Sequence, residues 1–292
     1  MGTLISCKKE QEVFENNTIP PYSEIPTVIV QNYVNRLFID LLGREPVDIE
    51  MAAEVSAMES ADLSESSRLA LINRLMNETI YVEGDSTYNR AYYINLYEYT
   101  KARLLEGASD AEIESQRGIL LFAALNDSLN GDFTSYQRNI REAKKLSDII
   151  DARYEYQSGQ IDIRELYDRM IDNSIYDLIN MNAFNYINAT YDDLFYRYPT
   201  EAEFNQAFQI IEFNLPAVIF GEVAVNEGQY LDVLLNNEEF NEGMIRWSYI
   251  SLVAREPSTQ ETFTLIEDFR NTSNLQNIQR YILKSDEYAG FD

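Results

Sequence analysis

The pattern of apolar and polar residues is helical over nearly the whole chain. From Thr27 to Leu42, apolar residues recur three and four positions apart, which places them on one helical face. No run of alternating residues bounded by hairpin turns is present, and we expect further helices or apolar stretches, including 110–129, 133–157, 174–196, 200–213 and 217–225. We therefore predict an all-α, multi-helical bundle with about 70% of its residues in helices.

Residues typical of helix starts and helix ends lie at the expected boundaries of these helices. Gly43 suits the positive φ that ends a helix, and Pro46 fixes φ where the next helix starts. Ser109 and Glu112 have the spacing of a capping box, in which each side chain bonds the other residue's backbone N–H. We expect the helix over 110–129 to begin there.

One short motif occurs three times. It consists of Leu, two residues, Arg, one residue, Pro, and then Glu four residues after the Pro. The three copies contain Arg44, Pro46 and Glu50; Arg197, Pro199 and Glu203; and Arg255, Pro257 and Glu261. A guanidinium donates several hydrogen bonds to helix-end carbonyls or to a carboxylate. We predict that each Arg locks a helix–helix corner with its Glu as candidate partner, and we keep a ligand-binding Arg as the alternative.

The repeated unit resembles one found in a known family. In that unit, Leu-Gly-Arg-x-Pro is followed by a helix, a loop and a closing segment of the type Ile282-Leu283-Lys284-Ser285-Asp286-Glu287-Tyr288. Phycobilisome linker domains and several families of secreted or surface bacterial proteins carry it. The resemblance covers about 36–82 and 191–292 and departs at Arg197-Tyr198-Pro199, which lacks the Gly. It implies a structural or protein-binding role and brings no catalytic residue.

The start of the chain carries a localisation signal. Leu4-Ile5-Ser6-Cys7 resembles the lipobox of bacterial lipoproteins, in which the Cys receives the lipid, and the short lead resembles a trimmed signal peptide. Residues 8–26 are polar and carry three of the seven prolines, which is typical of a solvated tether. The charged run after Cys7 is similar to the surface-export signal of Bacteroidetes lipoproteins. We predict a protein anchored to the outer membrane through Cys7, with the cell surface favoured over the periplasmic face.

Composition excludes several function classes. The net charge is −26, which repels nucleic acid phosphates, so we expect no nucleic-acid partner. The chain has no His, which excludes His-containing triads and His-ligated metal sites. The best calcium loop, 126–137, lacks acidic residues at the ligand positions. We predict no metal and no cofactor.

A tyrosine-rich segment has two interpretations. Tyr88, Tyr92 and Tyr99 fall close to one face of the predicted helix. Aromatic stripes at helical spacing usually belong to the core, and the alternative is an exposed aromatic contact surface that also includes Trp247.

These observations lead to one predicted organisation and function. We predict a lipidation site and tether over 1–26, an N-terminal helical region over 27–190 and a C-terminal helical region with two repeat units over 191–292. The predicted function is non-enzymatic: a lipid-anchored lipoprotein that binds or scaffolds an envelope protein. The first alternative is a glycan- or nutrient-binding surface lipoprotein beside an outer-membrane transporter. The second is a hydrolase with two carboxylates in a pocket.

Overall fold

The computed structural model of the protein describes residues 22–82 and 86–291. Cys7 and residues 1–21 of the predicted tether lie outside the described residues. The helices are α1 (Thr27–Leu42), α2 (Asp48–Ser60), α3 (Glu65–Asn77), α4 (Tyr88–Leu104), α5 (Asp110–Leu129), α6 (Phe133–Gln157), α7 (Ile163–Ile171), α8 (Ser174–Asn180), α9 (Ala183–Phe195), α10 (Glu201–Phe213), α11 (Glu227–Leu235), α12 (Glu238–Val253), α13 (Thr259–Thr272), α14 (Leu275–Leu283) and α15 (Asp286–Ala289), and the strands are β1 (Ala217–Ile219) and β2 (Glu222–Ala224).

The all-α prediction is confirmed, since 75% of the structure is helical. The helix start and stop signals predicted from the sequence are present in the structure. Gly43 ends α1 with φ of 72°, and Ser109 and Glu112 form the reciprocal capping box at the start of α5. None of the helices in the described ranges has the length and apolarity required to cross a membrane.

The apolar stretch 217–225 is a β-hairpin, which corrects the prediction that no hairpin occurs. Strands β1 and β2 are antiparallel, with Ala217 opposite Ala224. The two turn residues, Phe220 and Gly221, both have positive φ, at 51° and 85°. Positive φ at both central positions is the geometry of a type I′ turn, whose twist matches that of the flanking strands.

The stretch 174–196 is two helices, α8 and α9, where the apolar spacing suggested one. Met181 takes φ of 40° and ends α8. Asn182 then caps α9, because its side chain accepts a hydrogen bond from the backbone N–H of Asn185. Asn is a strong N-cap residue, so this break has a local sequence signal that the hydrophobic period hides.

Three repeat units follow the same path. In each, an opening helix leads through the Arg-x-Pro corner into a second helix, then a third, and then a closing helix. The opening helices are α1, α9 and α12, and the closing helices are α4, α12 and α15. Helix α12 therefore closes the second unit and opens the third, which makes these two units continuous.

The first and last units pack against each other. Helix α1 contacts α15, and α3 contacts α14. Tyr33 Oη donates to the carbonyl of Leu283 at 3.1 Å. The Arg36 guanidinium donates to the carbonyls of Tyr288 and Leu252 at 2.8 and 2.7 Å. Buried side chains from both halves of the chain form one cluster, so the predicted regions 27–190 and 191–292 share a core.

Candidate functional site

The three corners have the same polar geometry. The two terminal nitrogens of each Arg donate to the two carboxylate oxygens of the Glu six residues later. These paired bonds join Arg44 to Glu50 at 2.8 and 2.8 Å, Arg197 to Glu203 at 2.9 and 2.7 Å, and Arg255 to Glu261 at 2.9 and 2.7 Å. The partners expected from the spacing are thus in place, in the bidentate form that suits a planar guanidinium.

A second carboxylate also binds the arginines of the second and third corners. Glu239, at the start of α12, accepts from Arg197 at 2.6 and 3.0 Å. Glu287, at the start of α15, accepts from Arg255 at 2.6 and 2.6 Å. Each of these two arginines therefore ties its corner to the closing helix of its own unit. Because their hydrogen-bonding groups are already engaged, the geometry favours structural positions over ligand positions.

The corner prolines stand just before their helices. The N-cap residues of the following helices are Val47, Thr200 and Ser258. Pro46, Pro199 and Pro257 each precede these caps by one residue, so they fix the approach to the helix and are not its first residue.

The aromatic residues chosen from the sequence separate into two groups. Tyr88 and Tyr92 are buried, which is a correction to the alternative that placed them on an exposed contact surface. Tyr88 Oη donates to Glu50 Oε1 at 2.8 Å, and Tyr92 Oη donates to Gln279 Oε1 at 2.5 Å. Tyr99 is 53% exposed and Trp247 is 7% exposed. Burial of the stripe follows from packing of α4 against α1 and α3.

Three of these aromatic residues meet at one cavity of about 160 Å³. The cavity lies where α1, α4, α12 and α14 come together. Its lining is Ile39, Asp40, Leu41, Tyr92, Asn95, Leu96, Tyr99, Trp247, Ser248, Ser251, Leu252 and Gln279. The ring centroids of Tyr99 and Trp247 are 6.3 Å apart, with an angle of 59° between the ring planes. The structure thus brings two aromatic rings and several polar side chains to one concave site.

Among the described residues that line the cavity, Asp40 is the only one with a charged side chain. Burial raises the pKa of its carboxyl, while a hydrogen bond from Tyr288 Oη at 2.7 Å and the nearby Arg36 charge act in the opposite direction. Asp40 forms no ion pair within residues 22–82 and 86–291. The cavity therefore holds one carboxylate, whereas a glycosidase needs two flanking its substrate.

Sequence reasoning missed the polar residues of this cavity. Asp40, Asn95, Ser248 and Gln279 belong to four helices that are far apart in the chain. Each has an ordinary local context, and no motif links them. No signal in the sequence could have grouped them, because only the packing of the first repeat unit against the last brings them together.

A second candidate site is the outward side of the hairpin formed by α5 and α6. These helices pack along each other, and α5 buries Ile113 and Ala124. Helix α5 exposes Ile119 and four further large apolar side chains, and we name these four the outer face of α5: Leu121, Phe122, Leu125 and Leu129. Phe122 is 67% and Leu129 is 76% exposed. Phe133, also exposed, continues this surface at the hairpin tip.

Basic residues are concentrated around the turn of the α5–α6 hairpin, although the whole hairpin, residues 110–157, contains six basic and nine acidic residues. Residues 117–145 contain five basic and three acidic residues, a net charge of +2, whereas the whole chain carries −26. Arg138 and Arg141 are exposed on α6 and form no ion pair in the part of the chain that the structure describes. The part of the hairpin around its turn thus combines exposed apolar side chains with a small net positive charge.

Comparison with known proteins finds no matching family, no matching curated protein and no matching solved structure. Across the described ranges, no group of three or more acidic or Cys side chains is placed to hold a metal ion.

Proposed function

We propose that the protein is a lipoprotein, anchored to the bacterial outer membrane through Cys7 and facing the cell surface, that binds a protein partner as a scaffold. The outer face of α5 carries the proposal. A helix normally buries one apolar stripe and turns polar residues to water. Helix α5 buries one stripe against α6 and leaves a second stripe exposed. Contiguous exposed apolar surface of this kind is typical of a protein–protein contact.

The basic residues around the turn of the hairpin indicate the partner chemistry. Arg138 and Arg141 add positive charge to the same hairpin, and opposite charges at the rim of an interface speed association and select partners. We therefore propose an envelope protein that offers an apolar groove rimmed by carboxylates.

The test is capture from native membranes with the full-length lipidated protein. We expect the unmodified protein to retain a stoichiometric envelope partner. The double variant Phe122→Glu/Leu125→Glu should lose it, because two carboxylates oppose burial of the face. The variant Phe263→Glu is the matched control, since Phe263 is 74% exposed on α13, away from the hairpin. Cys7→Ser should release the protein from the membrane fraction.

Charge reversal tests the partner chemistry. Arg138→Glu/Arg141→Glu should slow association, and the difference should shrink as salt increases. Capture of the same partner by the Phe122→Glu/Leu125→Glu variant would show that binding uses another surface. Concentration-dependent dimerisation that this double variant abolishes would instead identify a second copy as the occupant and contradict the proposed partner.

The nutrient-binding alternative has narrower support. Stacking of a sugar needs an open ring face, and only Tyr99 of the cavity's aromatic residues is more than half exposed. Retention on a glycan array without any captured envelope protein would favour this alternative.

A further inference from the structure

The cavity between α1, α4, α12 and α14 has a lining that suits positive charge. We propose that it binds an organic cation, an ammonium or guanidinium group, with Asp40 facing the charge and Tyr99 and Trp247 forming aromatic walls. The ligand is a small molecule or the end of a basic side chain. This inference does not depend on partner binding by the hairpin.

Asp40 supplies the negative charge of the cavity. It is the only charged residue among the twelve that line the cavity, and it has no Lys or Arg partner in the described ranges. The nearest basic group acting on it is Arg36, whose terminal nitrogens are engaged by the carbonyls of Tyr288 and Leu252. A partly buried carboxylate without an ion pair carries a desolvation cost that a bound cation offsets.

Two aromatic rings of the cavity are inclined to each other. Tyr99 and Trp247 are tilted by 59° with centroids 6.3 Å apart, so they form two inclined walls rather than a stack. A cation gains energy when it lies within about 6 Å of a ring centroid, and several rings around one ammonium make an aromatic cage. Tyr92 supplies a third ring to the lining, held by its hydrogen bond to Gln279.

The size and the remaining polar groups limit the ligand. A volume of about 160 Å³ lies below the range of roughly 300–1,000 Å³ typical of pockets for drug-sized ligands, so the cavity suits a headgroup. The net charge of −26 also raises the local concentration of cations at this protein.

The cavity contains a natural fluorescent probe. Trp247 is the only Trp in the chain, so selectively excited tryptophan fluorescence reports on this cavity alone. The full-length protein is titrated with choline, with methylguanidine, and with the neutral isostere of choline in which carbon replaces the ammonium nitrogen. We expect a saturable change with choline or methylguanidine, and at least tenfold weaker binding of the neutral isostere.

Three variants complete the test. Asp40→Asn keeps an acceptor for the Tyr288 hydroxyl and removes the charge, and it should weaken cation binding at least tenfold. Tyr99→Leu should weaken cation binding severalfold. Because Tyr99 is 53% exposed, this change should leave the fold intact. Tyr198→Leu, at another exposed tyrosine, is the matched control and should leave binding unchanged.

Several results would overturn the proposal. Equal binding of choline and its neutral isostere would show an apolar site. Full affinity in Asp40→Asn or Tyr99→Leu would place the cation elsewhere. Absence of a saturable change with both cations, or a change with neutral sugars only, would also reject it.

Discussion

Each corner places one residue in the left-handed helical conformation directly before its arginine. Gly43, Tyr196 and Ala254 have φ of 72°, 56° and 55°. A Cβ atom makes this conformation unfavourable, so only the first corner uses the residue best suited to it. Tyr196 has a compensating contact, because the Arg103 guanidinium lies 4.2 Å from its ring centroid. Ala254 is exposed and has no such contact among the described residues.

Ala254→Gly should stabilise the protein by about 1 kcal/mol, because it relieves the left-handed strain at the end of α12. Ala53→Gly, at an exposed position inside α2, is the control and should destabilise it by about 1 kcal/mol. Urea unfolding measures both free energies. Equal destabilisation by both changes would show that the corner gains nothing from Gly.

At the scale of elements, one glutamate joins the corner to the next helix. Glu261 Oε2 accepts from the backbone N–H of Ser258 at 2.7 Å, while Ser258 Oγ accepts from the Glu261 N–H at 3.3 Å. The same carboxylate holds Arg255. Hydrogen bonding from Arg255, and then from Ser258, lowers the pKa of Glu261 to about 2 against the opposing effect of burial. Glu203 has the same arrangement and the same lowered pKa.

Glu261→Gln should destabilise the protein on the order of 1 kcal/mol at neutral pH, a value reduced by the solvent exposure of the pair. A carboxylate with a lowered folded-state pKa stabilises the fold above its unfolded pKa, and this contribution disappears as pH falls towards about 2. The difference between variant and unmodified protein should therefore shrink between about pH 5 and pH 2. Unfolding curves across this range provide the measurement.

Glu267→Gln is the control for that experiment, because Glu267 lies exposed on α13. Its effect on stability should be small at every pH in the series. A constant difference between Glu261→Gln and the unmodified protein down to the lowest pH would contradict the role assigned to the ionised carboxylate.

At the scale of the whole molecule, the contacts between the first and last units determine cooperativity. Arg68 is 2% exposed on α3, and its guanidinium donates to Asp286 Oδ1 at 2.6 Å. Tyr288 in α15 bonds Asp40 in α1 at 2.7 Å. Loss of either half would expose apolar surface and leave buried polar groups without partners.

We expect the regions 27–190 and 191–292 to unfold together. Trp247 fluorescence reports on the contact between the two regions, since its ring packs against Tyr99, and far-ultraviolet circular dichroism reports on all helices, so the two transitions in urea should coincide. Hydrogen exchange in α3 and α14 should become fast at the same denaturant concentration. Two separated transitions would show that the regions fold as independent units.

How far the sequence predicted these features depends on whether the determining contacts are local. The corners could be predicted from the sequence because Arg, Pro and Glu lie within seven residues of one another, and the Arg and Glu side chains bond each other there. The second acids, Glu239 and Glu287, were not identified, since they come from closing helices reached only after folding. The exposed apolar side chains of α5 could have been predicted from the sequence, because this helix has apolar residues on two sides.

The sequence alone determined the helical class, the capping signals and the three repeated corners, because periodicity, caps and short-range ion pairs act within a few turns of helix. Tertiary structure decided which aromatic side chains are buried, where the cavity lies and which stripe of α5 stays exposed. Burial depends on what distant helices cover, and local patterns do not contain that information. Asp40 and Trp247 line one cavity only because the last repeat unit packs against the first.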